Sequence, residues 1–190
     1  MSEKGTLMVF SGPAGTGKDT VLECFAAKKM KGVWKSVSYT TRQPRENEKD
    51  GVDYHFITRE EFERLIKDGA MLEYAKYGLN YYGTPKAPVD EHLKNGDTVI
   101  LKIEVQGARQ IKALYPDAVG VFVLPPSLEV LEKRLRGRGS ETDEAVIRRL
   151  SIAKKELEYS VNYEYRIVND DLDDAVNDLY SIVRSLQLKQ

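Results

Sequence analysis

The sequence predicts an α/β fold in which a parallel sheet is covered by helices on both faces. Three short apolar runs carry this expectation: Leu7-Met8-Val9-Phe10, Thr98-Val99-Ile100-Leu101 and Ala118 to Leu124. Continuous apolar runs of this length mark strands buried on both faces. Each is followed by a helical pattern, and strands that alternate with helices join one sheet through parallel crossovers.

The elements follow in order. The first run ends in Gly12-Pro13-Ala14-Gly15-Thr16-Gly17, and Lys18 to Lys29 then carries Val21, Leu22, Phe25 and Ala26 at helical spacing. The segment from Ser36 to about Asn95 breaks the alternation. It is polar and tyrosine-rich, and Thr58 and Glu61 are spaced as the capping box of a helix. After the second apolar run a helix is expected around Gln106 to Leu114. After the third, another spans Ser127 to Leu135 with Ser127 as N-cap. Gly137-Arg138-Gly139-Ser140 interrupts the helical run, and a long charged helix from Asp143 to about Tyr159 follows. Tyr165 to Val168 reads as a short strand and Leu172 to Leu186 as a closing helix.

Composition narrows the class. The 190 residues hold 29 Lys plus Arg against 30 Asp plus Glu, a net charge of -1 that excludes a uniformly basic nucleic-acid coat. With 41% hydrophobic and 31% charged residues the chain reads as globular rather than disordered. No apolar stretch approaches the ~20 residues of a membrane span, no secretory signal opens the chain, and Cys24 is alone. A reducing, cytoplasmic setting is therefore expected, with Cys24 as a small buried hydrophobe. Charge is arranged in blocks: residues 130–155 carry eight basic against four acidic, and 156–190 three against eight. A mobile basic arm on an acidic body and two solvated helix faces both produce that pattern. Tyrosine supplies 11 side chains, six of them between Tyr39 and Tyr82.

Gly12 to Lys18 matches Gly-x-x-x-x-Gly-Lys between a strand and a helix, the context of a P-loop. Its glycines let backbone N–H groups turn inward on phosphate oxygens, the helix N-terminus adds partial positive charge, and Lys18 reaches the outer phosphates. A Ser or Thr usually follows the lysine and ligates magnesium, but here Asp19 stands there, with Thr20 next. Thr20 can offer its hydroxyl to a phosphate; Asp19 can complement the helix dipole or meet magnesium through water. This favours small-molecule kinases over motor or switch NTPases, and leaves the metal-holding group unassigned.

A second constellation surrounds Ser38, where Arg42 and Arg45 flank Pro44 and can converge on one anion. Tyr54, Glu73 and Asn80-Tyr81-Tyr82-Gly83-Thr84-Pro85 lie downstream. A carboxylate that accepts two N–H donors suits the N1–H and 2-amino edge of guanine, which adenine lacks. Together these residues point to a second nucleotide site. His55 and His92 lack a nucleophile or metal partner, and Trp34 closes the first βα unit as a packing residue.

In these motifs the chain resembles the guanylate kinases, over essentially its full length. The likeness runs from Gly-Pro-Ala-Gly-Thr-Gly-Lys through Thr40-Thr41-Arg42-Gln43-Pro44-Arg45, Gly51-Val52-Asp53-Tyr54 and Tyr81-Tyr82-Gly83-Thr84. It continues through Val105-Gln106-Gly107, Pro125-Pro126-Ser127, Arg134-Leu135, Gly137-Arg138-Gly139 and Ile167-Val168-Asn169-Asp170. The resemblance implies a P-loop NTPase core (1–35, 95–125 and 160–190), a GMP-binding insertion (36–94) and a lid (126–159). It implies transfer of the γ-phosphoryl group of ATP to GMP, and to dGMP, with Mg2+ accompanying ATP, in purine nucleotide metabolism. ATP would be held by Gly12 to Thr20 and Asn169. Arg42, Arg45, Tyr54 and Tyr82 would hold the GMP phosphate, with Ser38, Glu73 and Thr84 on the guanine. The other four tyrosines of the cluster would be scaffold. Lys18, Arg42, Arg134, Arg138 and Arg149 would carry the catalysis by neutralising charge on the transferred group.

One departure is a charge reversal. The family places two acids two residues apart at the end of the strand Thr98 to Glu104, where this chain has Lys102 and Glu104. Glu104 can still accept from guanine or from water on magnesium. The expected partners are ATP and GMP, with no nucleic acid and no membrane; monomer and homo-oligomer stay open. The sequence leaves two rivals, a peptide-docking module on the same fold and a P-loop kinase for another phosphate acceptor.

Overall fold

Every residue of the first strand, β1 (Leu7–Ser11), is buried, as a strand with helices on both sides must be. The computed structural model describes residues 5–137 and 142–189. Around β1 lie β2 (Val33–Lys35), β7 (Thr98–Lys102), β8 (Val119–Leu124) and β9 (Tyr165–Val168), in the order β2-β7-β1-β8-β9 and parallel throughout.

Alternation along β1 divides the core. Met8 and Phe10 point to one face, where they pack with Val21 and Phe25 of α1 (Lys18–Ala27) and Leu179 and Val183 of α7 (Leu172–Gln187). Leu7 and Val9 point to the other, against Val89 of α3 (Lys86–Lys94) and Ile111 of α4 (Val105–Leu114). Full burial of each such side chain stabilises the fold by roughly 1.5–3 kcal/mol. Leu131 and Leu135 of α5 (Leu128–Arg136) form a separate small cluster with Val146 and Ala153 of α6 (Asp143–Glu158).

Residues 39–85 build a second sheet, β4-β3-β6-β5, from β3 (Tyr39–Thr40), β4 (His55–Phe56), β5 (Met71–Tyr77) and β6 (Asn80–Pro85). The β5–β6 hairpin is antiparallel, and α2 (Arg59–Lys67) precedes it. The Thr58 hydroxyl accepts from Glu61 N and the Ser127 hydroxyl from Val130 N, the two N-caps expected from sequence.

Other expectations are corrected in detail. The first helix ends at Ala27 rather than Lys29, and β7 ends at Lys102, leaving Glu104 as the N-cap of α4. Trp34 lies within β2, a strand the sequence reading lacked, and stacks on the His92 ring at 4.1 Å. His92 in turn meets Asp97 at 2.6 Å. Cys24 is half-buried at the edge of the core rather than enclosed in it.

Candidate active site

The carboxyl end of β1 runs into the glycine-rich turn, so the turn sits where open parallel sheets hold ligands. Thr16 closes it, its hydroxyl donating to Pro13 O at 2.9 Å. Gly17 is the N-cap of α1 and offers no side chain to the first-turn amides, which leaves their N–H groups to a bound anion. Its φ of 82° is left-handed, and a Cβ there would lie 2.3 Å from Asn169 Nδ2. Asn169 follows β9 and donates across 2.7 Å to Thr16 O. Arg134 of α5 also reaches Thr16 O, at 3.4 Å, and donates to Asn169 O at 3.0 Å.

A cleft of about 600 Å³ opens beside this turn, within the range of nucleotide-sized sites. Ala14, Gly15, Lys18 and Asp19 line it from the P-loop side, and Lys102 and Glu104 from the end of β7. Ser38, Arg42, Arg45, Tyr54, Glu73 and Tyr82 line it from residues 36–94, and Arg149 and Glu156 from α6. Residues distant in sequence, all but Glu156 singled out there one by one, thus share one cavity. Lys18 is buried and its Nζ lies 3.2 Å from Glu104 Oε1.

Glu73 is 5% exposed, and Oε1 accepts from the Thr84 hydroxyl at 2.7 Å. Burial pushes its carboxyl above the ordinary range, against the hydrogen bonds from Thr84. Two features of α4 hold it. Gly107 packs so tightly that a Cβ would lie 2.4 Å from Glu73 Oε2, and the Gln110 amide brackets the Tyr74 backbone at 3.3 and 2.8 Å.

Arg42 makes a two-pronged pair with Glu48, Nη1 to Oε2 and Nη2 to Oε1, both at 2.8 Å. The hydrogen bond from Arg42 holds the Glu48 carboxyl below the usual range, and the same bond raises the guanidinium. Arg42 also lies over the Tyr54 ring, its guanidinium carbon 5.6 Å from the centroid. The Tyr54 and Tyr82 rings meet edge to face at 5.9 Å, and burial raises the Tyr54 phenol.

Several residues fall differently from the sequence expectation. Thr20 is exposed and Thr84 lies behind Glu73; neither is among the cleft-lining residues. Arg134 braces the backbone carbonyls of Thr16 in the P-loop and of Asn169 after β9 instead of lining the cleft. Arg138 lies outside the described residues. Tyr77, expected as scaffold, lines the cleft, and burial with the charges of Glu104 and Glu156 pushes its phenol to about 12. Lys102 pairs with Asp19 at 2.7 Å, a partnership not among those anticipated for either residue.

Glu48 and Glu156 were missed altogether. Glu48 carried a faint signal, three residues past Arg45 in a turn. Glu156 carried a better one, standing two helical turns beyond Arg149 and so on the same face.

For a metal, the donor set is sparse but suitable in kind. Among the described residues no group of three or more His, Cys, Asp or Glu gathers to hold an ion. Magnesium that travels with phosphates needs only one or two carboxylates and keeps its waters, and Asp19 and Glu104 both line the cleft beside Lys18. No helix among the described residues is long and apolar enough to cross a membrane.

Comparison with known proteins agrees with this geometry. The family profile described as guanylate kinase matches residues 4–186. A guanylate kinase from Synechocystis sp. is 48% identical over 182 residues, covering 96% of this chain and 95% of the relative. One from Clostridium acetobutylicum is 49% identical over 183 residues, covering 96% and 87%. The crystal structure of guanylate kinase from Anaplasma phagocytophilum superposes with a TM-score of 0.79 at 33% identity, covering 98% of this chain and 88% of that one. With its P-loop wall and its buried carboxylate on one cleft, the chain belongs to the guanylate kinase family.

Proposed function

We propose that this chain transfers the γ-phosphoryl group of ATP to GMP, and also to dGMP, giving ADP and the nucleoside diphosphate. The observation that carries this reading is the pairing on one cleft of Lys18, at a P-loop, with Glu73, a buried acceptor held by Thr84. The P-loop amides and Lys18 take the ATP phosphates, and Asn169 with Arg134 fixes the loop from behind. Glu73 accepts from the N1–H and 2-amino edge of guanine, with Ser38 beside it. Arg42, Arg45, Tyr54 and Tyr82 hold the acceptor phosphate.

The chemistry then needs no covalent intermediate and no strong base. Lys18, Arg42, Arg138 and Arg149 place donor and acceptor in line and neutralise charge on the transferred group. Magnesium bound with ATP would supply positive charge against the donor phosphates, and Asp19 and Glu104 are the residues that would hold it through its water ligands. In this reading residues 36–94 form the GMP-binding part and 126–159 the lid, whose closure excludes water from the transfer. Purine nucleotide metabolism in the cytoplasm is the setting this reaction implies.

A coupled ADP-release assay across GMP, dGMP, AMP, UMP and a sugar phosphate tests the reading. GMP is expected to turn over fastest and dGMP next. Preference for another acceptor would overturn the assignment of Glu73, and no turnover with any would favour a docking module.

A further inference from the structure

Two ion pairs join the first turn of α1 to the end of β7. Lys18 pairs with Glu104 at 3.2 Å, and Lys102 pairs with Asp19 at 2.7 Å. The four side chains cancel in charge. An acid in place of Lys102 would leave this wall with one cation against three anions, facing a site built for phosphates.

Lys102 touches both sides of the cleft. Its Nζ bonds Asp19, next to the P-loop lysine, and lies 5.6 Å from the centroid of the Tyr54 ring. The Arg42 guanidinium carbon lies 5.6 Å from that same centroid. The two cations are therefore no farther apart than twice that distance, on the part of the cleft assigned to the acceptor phosphate. The contacts of Lys102 are to Asp19 and Tyr54, not to the Glu73–Thr84 pair. Its side chain is 23% exposed and lines the cavity. Burial works against the ammonium, but Asp19 together with Tyr54 and Glu23 outweighs it and holds the group above its ordinary value. An ammonium has three donors, and Asp19 occupies one.

We propose, resting on the acceptor reading above, that Lys102 contacts the phosphate of the acceptor nucleotide, and that Asp19 is the carboxylate that steadies its ammonium. Lys102 thus adds a phosphate-binding cation to Arg42 and Arg45, at a position where the family's acid could not do so. A bland alternative gives Lys102 only the task of neutralising Asp19.

Displacement of a fluorescent GMP analogue by GMP and by guanosine separates the two, since guanosine shares every contact except those to phosphate. The full chain, Lys102→Met, Lys102→Arg and the double variant Asp19→Asn/Lys102→Met are compared, each checked by thermal melting. Lys102→Gln replaces the methionine variant if that one does not fold. Loss of one charge-assisted contact should weaken GMP about tenfold or more in Lys102→Met and leave guanosine within about twofold. Lys102→Arg should recover most of the affinity, and the double variant should stay weak. GMP affinity unchanged in Lys102→Met, equal weakening of guanosine, or recovery in the double variant would each overturn the proposal. If the parent chain displaced the analogue with neither ligand, the acceptor reading itself would fall, and this inference with it.

Discussion

The Asn169 side-chain amide donates to the Thr16 carbonyl oxygen across 2.7 Å, tying the end of the last sheet strand to the P-loop. The tie is buried, and it stands where a Cβ on Gly17 would sit. Asn169→Ala should therefore raise the KM for ATP several-fold, leave that for GMP unchanged, and cost about 1 kcal/mol of stability. Gly17→Ala should do more damage, because it adds a clash to a left-handed φ. Steady-state kinetics with each substrate varied in turn, alongside thermal melts, check both. Equal effects on the two KM values would show that Asn169 acts on the whole fold.

How much of this was legible in the sequence depends on the length scale of the signal. The parallel core was, because β1, β7 and β8 are unbroken apolar runs and their helices carry clean periodicity. The small sheet was not. β3 and β4 have two residues each, too few for any alternation to register, and Tyr81 and Tyr82 sit side by side on β6 so that apolar and polar positions blur. Within the site, residue type alone singled out Lys18, Arg42 and Glu73, and all three line the one cleft. The site was opaque where the task is set by a partner. Nothing near Lys102 in the chain announces Asp19, 83 residues away, and only the parallel pairing of β7 with β1 brings them together.

Arg42 is held by Glu48 before it can meet a phosphate, and this fixes the plane of its guanidinium. Glu48→Gln keeps the shape but loses the two-pronged pair. We expect the KM for GMP to rise several-fold with a smaller change in kcat. The carboxyl of Glu48 lies below its ordinary value, so the pair stabilises the fold above about pH 4.5 and is lost as pH falls through the lowered value. Melts between pH 3 and 6 should accordingly show a shallower acid limb in Glu48→Gln than in the parent.

Glu73 offers a sharper contrast between stability and specificity. Its carboxyl is raised by burial, so the cost of ionising it inside the fold appears as pH rises above about 4.5. Glu73→Gln removes that cost and can still accept from Thr84. Its melting temperature should match or exceed that of the parent at pH 7, with the difference vanishing in acid. Catalysis should move the other way. The new amide N–H₂ would face the guanine donors, and kcat/KM for GMP should fall on the order of tenfold to a hundredfold. A variant that lost stability and kept GMP turnover would remove Glu73 from base recognition.

Glu156 supplies the strongest pH dependence on the cleft wall. It projects from α6 toward Glu104 and Lys18, with Tyr77 in the same field from β5 and Arg149 two turns back on its own helix. Burial and the Glu104 charge raise its carboxyl to about 7, and Lys18 offsets only part of this. The unfolded chain ionises near 4.5, so the native state holds a proton that the unfolded state has lost between those values. Stability therefore declines as pH rises from about 4.5 through 7 and levels off above. Glu156→Gln should remove the Glu156 share of that decline and leave the share of Glu73, melting with the parent near pH 4.5 and a few degrees higher at pH 8. Superimposable curves of melting temperature against pH would remove Glu156 as the source. A bound polyphosphate adds negative charge to the same cavity and should raise the carboxyl further, so that ATP binding at pH 8 takes up a proton. Calorimetry in two buffers of different ionisation enthalpy measures this uptake directly. It should disappear in Glu156→Gln while the affinity for ATP rises, because the substitution removes a repulsive charge that the parent must neutralise each time it binds.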